Sequence, residues 1–388
     1  GYDIIFFWVA RMAFMTRHFR GKRPFDKCLI HGLIRAEDGR KMSKSLGNGV
    51  DPFDVIRDYG CDALRYFLTT NSTPGQDLRY SDNKVASSWN YINKIWNISR
   101  YIQMSLQNNN YLDEAVDFDK CTSIDKWIIS RLNKVIVKTT EFYDKFEFGE
   151  AARLVYNFVW DDLASKYIEL SKVTLNNPEL KTNTCAVLKL VLTDILKLLH
   201  PYMPFMTEEI YQHFYESSIM VSSWPKPYEI GNINSDNLDK MFDLITNIRT
   251  IRLNNNVSNA TTLTFFIKTN ENLKDYLISN DIYLKKFINY SSIQFVENLS
   301  SNLSITILDD ISFGIPTNEL VDIEKEKERL TKEFERLNNE VKRSNNMLGN
   351  PNFISKAPKE KIETEKEKLN KYLELLNEVE KLLKDISK

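Results

Sequence analysis

Two lysines and two hydroxyl side chains lie close together in one short polar segment, Lys41-Met42-Ser43-Lys44-Ser45. Gly39 and Gly47 flank the segment and favour a loop. A lysine ammonium is a compact charge that binds phosphate, and such charges matter most where phosphate oxygens gain charge in a transition state. The segment therefore predicts a polyphosphate site with Lys41 and Lys44 as catalytic cations, although a plain basic surface turn fits the same residues.

The stretches on both sides of this loop are of the kind that position a phosphate site. Residues 28–34 form an apolar run that predicts a buried strand, and Asp51-Pro52 predicts the start of a helix. Open α/β sheets bind ligands where a strand passes through a loop into a helix. The sequence contains no G-x-x-x-x-G-K-S/T string and no dinucleotide fingerprint, so neither of those phosphate loops is present.

Composition narrows the class of protein further. The chain has 388 residues and a formal net charge of −1, yet the charged residues from 11 to 44 are mainly basic, which suits a phosphate ligand. The four cysteines include no C-x-x-C pair, so we expect neither a protein-bound metal nor a disulfide. No segment reads as a membrane span or a signal peptide, and we expect a cytoplasmic protein of about two to four domains.

The segment Lys41-Met42-Ser43-Lys44-Ser45 resembles the KMSKS signature of the class I aminoacyl-tRNA synthetases. The neighbouring residues 31–35 and Gly47-Asn48 also match that family. Other segments resemble its valine-specific members in particular, in the same order and over essentially the whole chain. These segments are residues 1–11, 74–78, 93–97 and 201–205, together with the charged C-terminal hairpin.

The resemblance implies an enzyme that activates valine with ATP, which carries Mg²⁺, and transfers the valine to tRNA-Val. By resemblance the ATP contacts are Lys44, Met42, Ser43, His31 and Gly32, with Gly32 letting the backbone approach the nucleotide. The amino-acid pocket would be bordered by Asp3, Ile4 and Trp8. For Ile4 and Trp8 the pattern alone favours ordinary core packing.

Two features of the family are missing from this sequence, namely an H-x-G-H motif and the inserted editing domain. We therefore expect a C-terminal portion of a longer synthetase that makes no adenylate by itself. Residues 2–15 predict a buried helix, but one clear strand cannot make a complete sheet. We accordingly expect exposed apolar surface or disorder in about the first thirty residues.

The rest of the sequence predicts a multidomain, mainly α chain. With the resemblance, residues 1–80 are expected to form a partial Rossmann-like α/β catalytic remnant, with helices at 52–59 and 62–70 split by Gly60. Residues 81–230 would form an α-helical anticodon-binding bundle, residues 231–317 a small α+β junction domain, and residues 318–388 an antiparallel coiled-coil hairpin that binds tRNA. Bundle helices are predicted at residues 82–104, 124–146 with Ser123 as N-cap, 149–175, 185–199 and 207–215.

The first bundle helix, with Arg79 just before it, carries the candidate RNA contacts. Its apolar stripe predicts one face packed in the bundle core, and the stripe consists of Val85, Trp89, Ile92 and Trp96. Cations beside an aromatic ring suit unstacked bases and nearby phosphates, although a solvated face fits the pattern equally. The resemblance favours RNA contact, and the candidate residues are Arg79, Lys94, Arg100 and Tyr101.

The last third of the sequence predicts smaller elements and then two long helices. The helix at 241–254 carries Arg249 and Arg252, which we expect to be an exposed pair, with tRNA contact as the alternative. One or two helices are predicted at 273–290, and strands at 263–268, 293–296, 304–308 and 311–315. In the final segment, apolar residues spaced by three or four, once Ser344 is included in the series, predict the hairpin on both sides of Gly349-Asn350-Pro351, with a dimerising coiled coil as the alternative. The spaced residues are Leu330, Phe334, Leu337, Val341, Leu348, Leu369, Tyr372, Leu376, Val379, Leu383 and Ile386.

Three other functions compete with this interpretation. The first is a sister synthetase for isoleucine or leucine, although isoleucine enzymes commonly end in cysteine-rich zinc tails and this chain has no cysteine after Cys185. The second is a tRNA-binding protein that descends from a synthetase and has no enzymatic activity. The third is a structural coiled-coil protein, which would leave the Lys41 loop without a purpose. We expect a monomer, because the hairpin pairs within one chain.

Overall fold

The computed structural model describes residues 1–231, 235–300, 302–320, 323–349 and 359–386. The chain is mainly helical with small sheets and divides into two compact units, Gly1–Ser235 and Asp236–Lys388. Within the described ranges, no helix is long and apolar enough to cross a membrane.

The first twenty residues are helical but not buried. A 3₁₀ turn at Tyr2–Ile4 and a π turn at Ile5–Val9 lead into helix α1, Ala10–Arg20. No residue of these elements is buried, and Phe6 and Phe19 are 79% and 70% exposed. The predicted buried helix is therefore wrong in its burial, and the predicted exposed apolar surface is confirmed.

The predicted strand at 28–34 is also wrong. Strand β1 covers only Ile34–Arg35 and pairs in parallel with β2, Leu78–Arg79, while Cys28 and Leu29 are exposed. Backbone hydrogen bonds join residues 30, 33 and 35 to residues 75, 78 and 80, and Arg35 also forms a single antiparallel bridge with Lys41. In the described part of the chain, only Ile34 and Arg35 of this stretch are paired with another strand, and the rest of the apolar run stays irregular.

The two predicted helices after the Lys41 loop are confirmed. Helix α2, Pro52–Tyr59, is capped by Asp51, which accepts a hydrogen bond from Phe53 N at 2.9 Å. Gly60 has a φ of 85°, and its left-handed backbone separates α2 from α3, Cys61–Thr70. Asp62 of α3 is buried and accepts a hydrogen bond from Met206 N at 2.7 Å, which ties α3 to the bundle.

The bundle helices form at all the predicted places with shifted ends. They are α4 Asp82–Asn108, α5 Ser123–Asp144, α6 Phe148–Asn157, which continues through a π segment Phe158–Tyr167 into α7 Ile168–Leu175, α8 Lys181–Leu199 and α9 Pro204–Gln212. The N-cap of α5 is Thr122 and not Ser123, because Thr122 and Asp125 form a reciprocal capping box.

The predicted buried stripe of α4 is wrong. Trp89 and Trp96 are 43% and 40% exposed, and of the four predicted residues only Val85 is fully buried. The face that packs inward is built instead from Val85, Tyr91, Ile95, Ile98 and Ile102. Both sets have helical spacing, and the contacts of α4 with α3 and α8 decide which one is covered.

The second unit combines helices with a four-stranded sheet of order β4-β3-β6-β5. The strands are β3 Leu263–Thr269, β4 Tyr290–Phe295, β5 Leu303–Ile307 and β6 Ile311–Pro316, and the helices are α10 Asp236–Asn254, α11 Glu271–Ser279 and α12 Asp281–Phe287. The prediction of an exposed arginine pair is wrong, because Arg252 is only 2% exposed. Its guanidinium donates to three backbone carbonyls, those of Ser258, Thr261 and Asn289.

Two long helices, α13 Ile323–Leu348 and α14 Lys359–Ile386, pack against each other. Leu337 and Val379 are buried between them, and Phe334, Tyr372 and Leu376 pack around this pair. Ser344 Oγ donates to Glu365 Oε1 at 2.7 Å inside the same interface, so the two helices run antiparallel. The predicted break at Asn350-Pro351 and the side chains of Leu330, Leu383 and Ile386 lie outside the described residues.

Candidate functional site

A tight turn brings the Lys41 loop back onto strand β1. Gly39 N donates to Ala36 O at 2.8 Å and Ala36 N donates to Arg40 O at 3.0 Å. Gly39 has a φ of 85°, a conformation that favours glycine. Arg35 and Lys41 then form an isolated antiparallel bridge, which holds the first lysine of the loop beside the strand.

The loop itself is closed by the side chain of Asn48. Asn48 Oδ1 accepts from Ser43 N at 3.0 Å, and its Nδ2 donates to Lys41 O at 3.2 Å. Between these points the backbone makes a 3₁₀ turn, Lys44–Leu46, and the hydroxyls of Ser43 and Ser45 lie 3.2 Å apart. The side chain of Lys44 lies outside the described part of the structure.

Met42 anchors this loop to the protein interior. Its side chain packs against a cluster of buried residues that includes Val55 of α2, Phe67 of α3 and Leu78 of β2. The loop therefore has one apolar anchor and one polar clamp, and the main chain that carries Lys41 and Lys44 is fixed from both sides.

Gly32 is required for the approach of two backbone segments. A Cβ atom at this position would lie 1.7 Å from the carbonyl oxygen of Gln76. The approach that Gly32 permits within this chain is to Gln76, and its contact with a nucleotide stays a prediction. The neighbouring His31 is exposed, with Nδ1 2.8 Å from Gly32 O and Nε2 3.1 Å from the N-terminal nitrogen.

Asp77 connects these pieces, and the sequence reasoning did not single it out. Its carboxylate accepts hydrogen bonds from Leu33 N at 2.8 Å, from Arg35 Nε and from Tyr2 Oη at 3.2 Å. The bond from Leu33 N, followed by that from Arg35, lowers the pKa of Asp77, so the group is a carboxylate at neutral pH. The only sequence signal was its place in the matched segment 74–78.

The predicted amino-acid pocket residues are exposed in this chain. Ile4 and Trp8 are 44% and 56% exposed, and the Asp3 side chain is 45% exposed. An apolar cleft of about 270 Å³ lies on the bundle side of His31 and Gly32. Its walls include Ile30, Leu68, Pro74, Phe146 and Phe148.

The four candidate RNA residues fall into two settings. Arg79 lies on β2. Its guanidinium is 3.2–3.3 Å from the point where a Cβ atom on Gly39 would lie, so Arg79 packs against the turn that leads into the Lys41 loop. Lys94, Arg100 and Tyr101 lie on α4, where Arg100 is exposed.

Two cation–aromatic pairs link α4 to the helix of residues 148–175. Lys94 Nζ lies 5.2 Å from the ring centroid of Trp160, and Lys172 Nζ lies 5.6 Å from that of Tyr101. The sequence reasoning missed Trp160 and Lys172, because the pairing of two helices 60 or more residues apart leaves no local pattern. Among the described residues, no group of three or more His, Cys, Asp or Glu side chains could hold a metal ion.

Three family models match successive parts of the chain. Residues 1–81 match "tRNA synthetases class I (I, L, M and V)", residues 125–267 match "Anticodon-binding domain of tRNA ligase", and residues 322–387 match "Valyl tRNA synthetase tRNA binding arm". Together these matches cover the Lys41 loop, most of the helical bundle and the paired helices.

Curated relatives of this sequence are also aminoacyl-tRNA synthetases. The valine–tRNA ligases of Staphylococcus saprophyticus and Anoxybacillus flavithermus are each 44% identical to this sequence over 85% of the chain, and that of Enterococcus faecalis has the same identity and coverage. The chain spans 39% of the length of the first two relatives and 38% of the third.

Proposed function

Because the chain belongs to the valine–tRNA ligase family of class I aminoacyl-tRNA synthetases, we propose that it supplies the ATP loop and the tRNA-binding surface of such an enzyme. The complete enzyme would join valine to ATP, release pyrophosphate and transfer valine to the terminal hydroxyl of tRNA-Val. The observation that carries this proposal is the clamped Lys41 loop, anchored by Met42 and closed by Asn48, in a chain 44% identical to valine–tRNA ligases.

In the proposed mechanism, Lys41 and Lys44 stabilise negative charge on the phosphates of ATP during adenylate formation. Met42, Ser43, His31 and Gly32 would lie against the nucleotide, whose Mg²⁺ shields the same phosphates. A loop with a fixed main chain places its ammonium groups in advance, so little reorganisation is needed as charge develops. The clamp by Asn48 supports this role.

Asp3, Ile4 and Trp8 are proposed to border the valine pocket once the rest of the catalytic domain packs on this face. Their present exposure supports this arrangement, since large apolar side chains such as Phe6 and Phe19 are left uncovered beside them. Without the remaining part of the catalytic domain, we propose that the chain alone forms no adenylate.

For tRNA, we propose the division predicted from sequence. Residues 1–80 belong to the catalytic domain, residues 81–230 read the anticodon region, residues 231–317 join the domains, and residues 318–388 form a coiled-coil arm on the tRNA. The proposed RNA contacts are Arg79, Lys94, Arg100 and Tyr101. A protein with this task would act as a monomer in the cytoplasm, where tRNAs are charged.

The first test is binding of the chain to tRNA-Val transcripts with native and altered anticodons, at two salt concentrations. Phosphate contacts alone give affinity that is steep in salt and blind to sequence. A selective loss with altered anticodons supports valine identity. Equal binding to every tRNA would contradict it and favour a sister synthetase or a descendant without enzymatic activity.

The second test concerns the loop. In the complete enzyme, Lys44→Ala should lower the rate of valine-dependent ATP–pyrophosphate exchange far more than it weakens tRNA binding. Equal losses would rule out the proposed role of Lys44. Exchange activity in a clean preparation of this chain alone would contradict the proposal that it forms no adenylate.

A further inference from the structure

Trp160 is a partly exposed aromatic ring with an unusual backbone setting. It lies in the π segment Phe158–Tyr167, and Ser165 Oγ donates to its carbonyl oxygen at 2.7 Å. π-helical stretches are rare and occur frequently at functional sites, although most are single turns and this one spans ten residues. The side chain is 37% exposed, and Lys94 Nζ lies over its ring.

A stack of rings that begins in the bundle core supports the Trp160 indole. Tyr156 lies parallel to it, with ring centroids 5.6 Å apart and an interplanar angle of 11°. Tyr156 in turn contacts Tyr91, which is 1% exposed, at a centroid distance of 4.6 Å. The packing beneath the indole thus holds it in place at the surface. Its side chain therefore has little conformational freedom left to lose when a ligand binds.

Helix α4 places positive charges on its side of this ring. Lys94 approaches the indole from α4, and the exposed Arg100 lies further along the same helix. The second pair, Lys172 with Tyr101, repeats the combination of cation and aromatic ring between the same two helices. Rings interleaved with cations bind single-stranded nucleic acid, because bases stack on the rings and the cations pair with phosphates.

We infer that Trp160, backed by Tyr156 and flanked by Lys94, is a stacking platform for an unpaired base of the bound tRNA. On binding, the base covers the indole and the Lys94 ammonium moves from the ring to a neighbouring phosphate. This inference rests on the proposed function, since it names a contact on the same RNA-binding bundle.

The experiment measures binding of this chain to a tRNA-Val transcript and to its isolated anticodon stem–loop, at about 50 and 200 mM salt. Trp160→Leu should weaken binding by about 10-fold or more, because it keeps apolar bulk and loses the aromatic face. Trp160→Phe should stay within about 3-fold of the parent, since a smaller ring still stacks. The matched control is Trp96→Leu, a residue of α4 with similar exposure, 40%, outside both cation–aromatic pairs.

Salt dependence separates stacking from charge. Trp160→Leu should leave the slope of log K against log salt unchanged, whereas Lys94→Ala should make it shallower by about 0.7 to 0.9. The fluorescence of a 2-aminopurine base in the anticodon loop should be quenched when the parent chain binds, and quenched less when Trp160→Leu binds. Thermal unfolding of each variant shows whether it is folded.

The outcomes distinguish the inference from the proposed function. If Trp160→Leu binds as tightly as Trp160→Phe while Lys94→Ala and Tyr101→Ala weaken binding, the platform is wrong and the RNA-binding bundle stands. If Trp96→Leu loses as much tRNA affinity as Trp160→Leu, the loss is not specific to the platform, which overturns the inference. If the parent chain does not bind tRNA, the proposed function itself fails.

Discussion

The side-chain amide of Asn48 donates from Nδ2 to the carbonyl oxygen of Lys41 at 3.2 Å while its Oδ1 accepts from the backbone of Ser43. This one side chain therefore sets the path of the main chain that carries both lysines. A displacement of about 1 Å in a group that contacts the reacting atoms costs roughly 100-fold in rate. In the complete enzyme, we expect Asn48→Ala to lower the kcat of valine-dependent ATP–pyrophosphate exchange by about 10- to 100-fold, with tRNA affinity unchanged.

Asn133 provides the matched control for Asn48→Ala. It makes the same pair of bonds elsewhere, from Tyr228 N to Oδ1 and from Nδ2 to Tyr228 O, both at 2.8 Å. Asn133→Ala should lower the melting temperature without a specific loss of exchange rate. If both variants reduce kcat equally, or Asn48→Ala leaves kcat unchanged, the clamp does not position the loop.

Gly32 lies so close to Gln76 that no other side chain fits. Gly32→Ala places its Cβ against the Gln76 carbonyl and should destabilise the first unit by about 2 kcal/mol or more, measured by urea unfolding. It should also speed exchange of the Leu78 amide, which bonds Leu33 O at 2.8 Å. Gly49→Ala is the control, because no atom lies within 4 Å of its Cβ position. Equal stability of both variants would show that the two segments can separate without cost.

The local signals of this sequence predicted local structure well. Pro52 after Asp51, and Gly60 between two apolar runs, set the ends of α2 and α3 because caps and left-handed glycines act within a few residues. The Lys41 loop was recognised from its own residues. In each of these cases the determining interactions lie inside the segment.

The errors share the opposite cause. The stripe with Trp89 and the stripe with Tyr91 both have helical spacing, and only the packing of other helices on α4 chooses between them. Asp77 binds the backbone of Leu33, 44 positions away, and Lys94 meets Trp160 across two helices. Residues 28–34 were predicted as a full strand because the composition was apolar, whereas strand length depends on neighbours that composition does not specify.

Arg252 should be a stabilising residue of the second unit and not an RNA contact. Its guanidinium is buried, and its removal leaves the carbonyls of Ser258, Thr261 and Asn289 without these donors. We expect Arg252→Met to cost about 2 to 5 kcal/mol in urea unfolding. Arg249→Met, which changes an exposed arginine of the same helix, should cost about 1 kcal/mol. A weaker tRNA affinity for a folded Arg252→Met chain would contradict this purely structural role.

Asp194 couples the stability of the bundle to pH. It is 3% exposed, and Tyr228 Oη donates to its Oδ2 at 2.7 Å. Burial raises the pKa of Asp194 to about 6, against the opposing effects of the Tyr228 hydrogen bond and Lys197. The folded chain therefore holds this proton more tightly than the unfolded chain does, so stability falls as the pH rises from about 4 to about 6.

Asp194→Asn should remove this loss, because its side-chain carbonyl still accepts from Tyr228 and carries no charge. Its free energy of unfolding should exceed that of the parent by about 1 to 3 kcal/mol above pH 6 and equal it near pH 4, in urea titrations at both values. Asp117→Asn is a control in which the change in stability at neutral pH should have the opposite sign, because the pKa of Asp117 is lowered in the folded chain. The hydrogen bond from Lys120 contributes most to lowering the pKa of Asp117, so that substitution should destabilise the chain at neutral pH. A constant difference between Asp194→Asn and the parent from pH 4 to 8 would show that Asp194 does not titrate in this range.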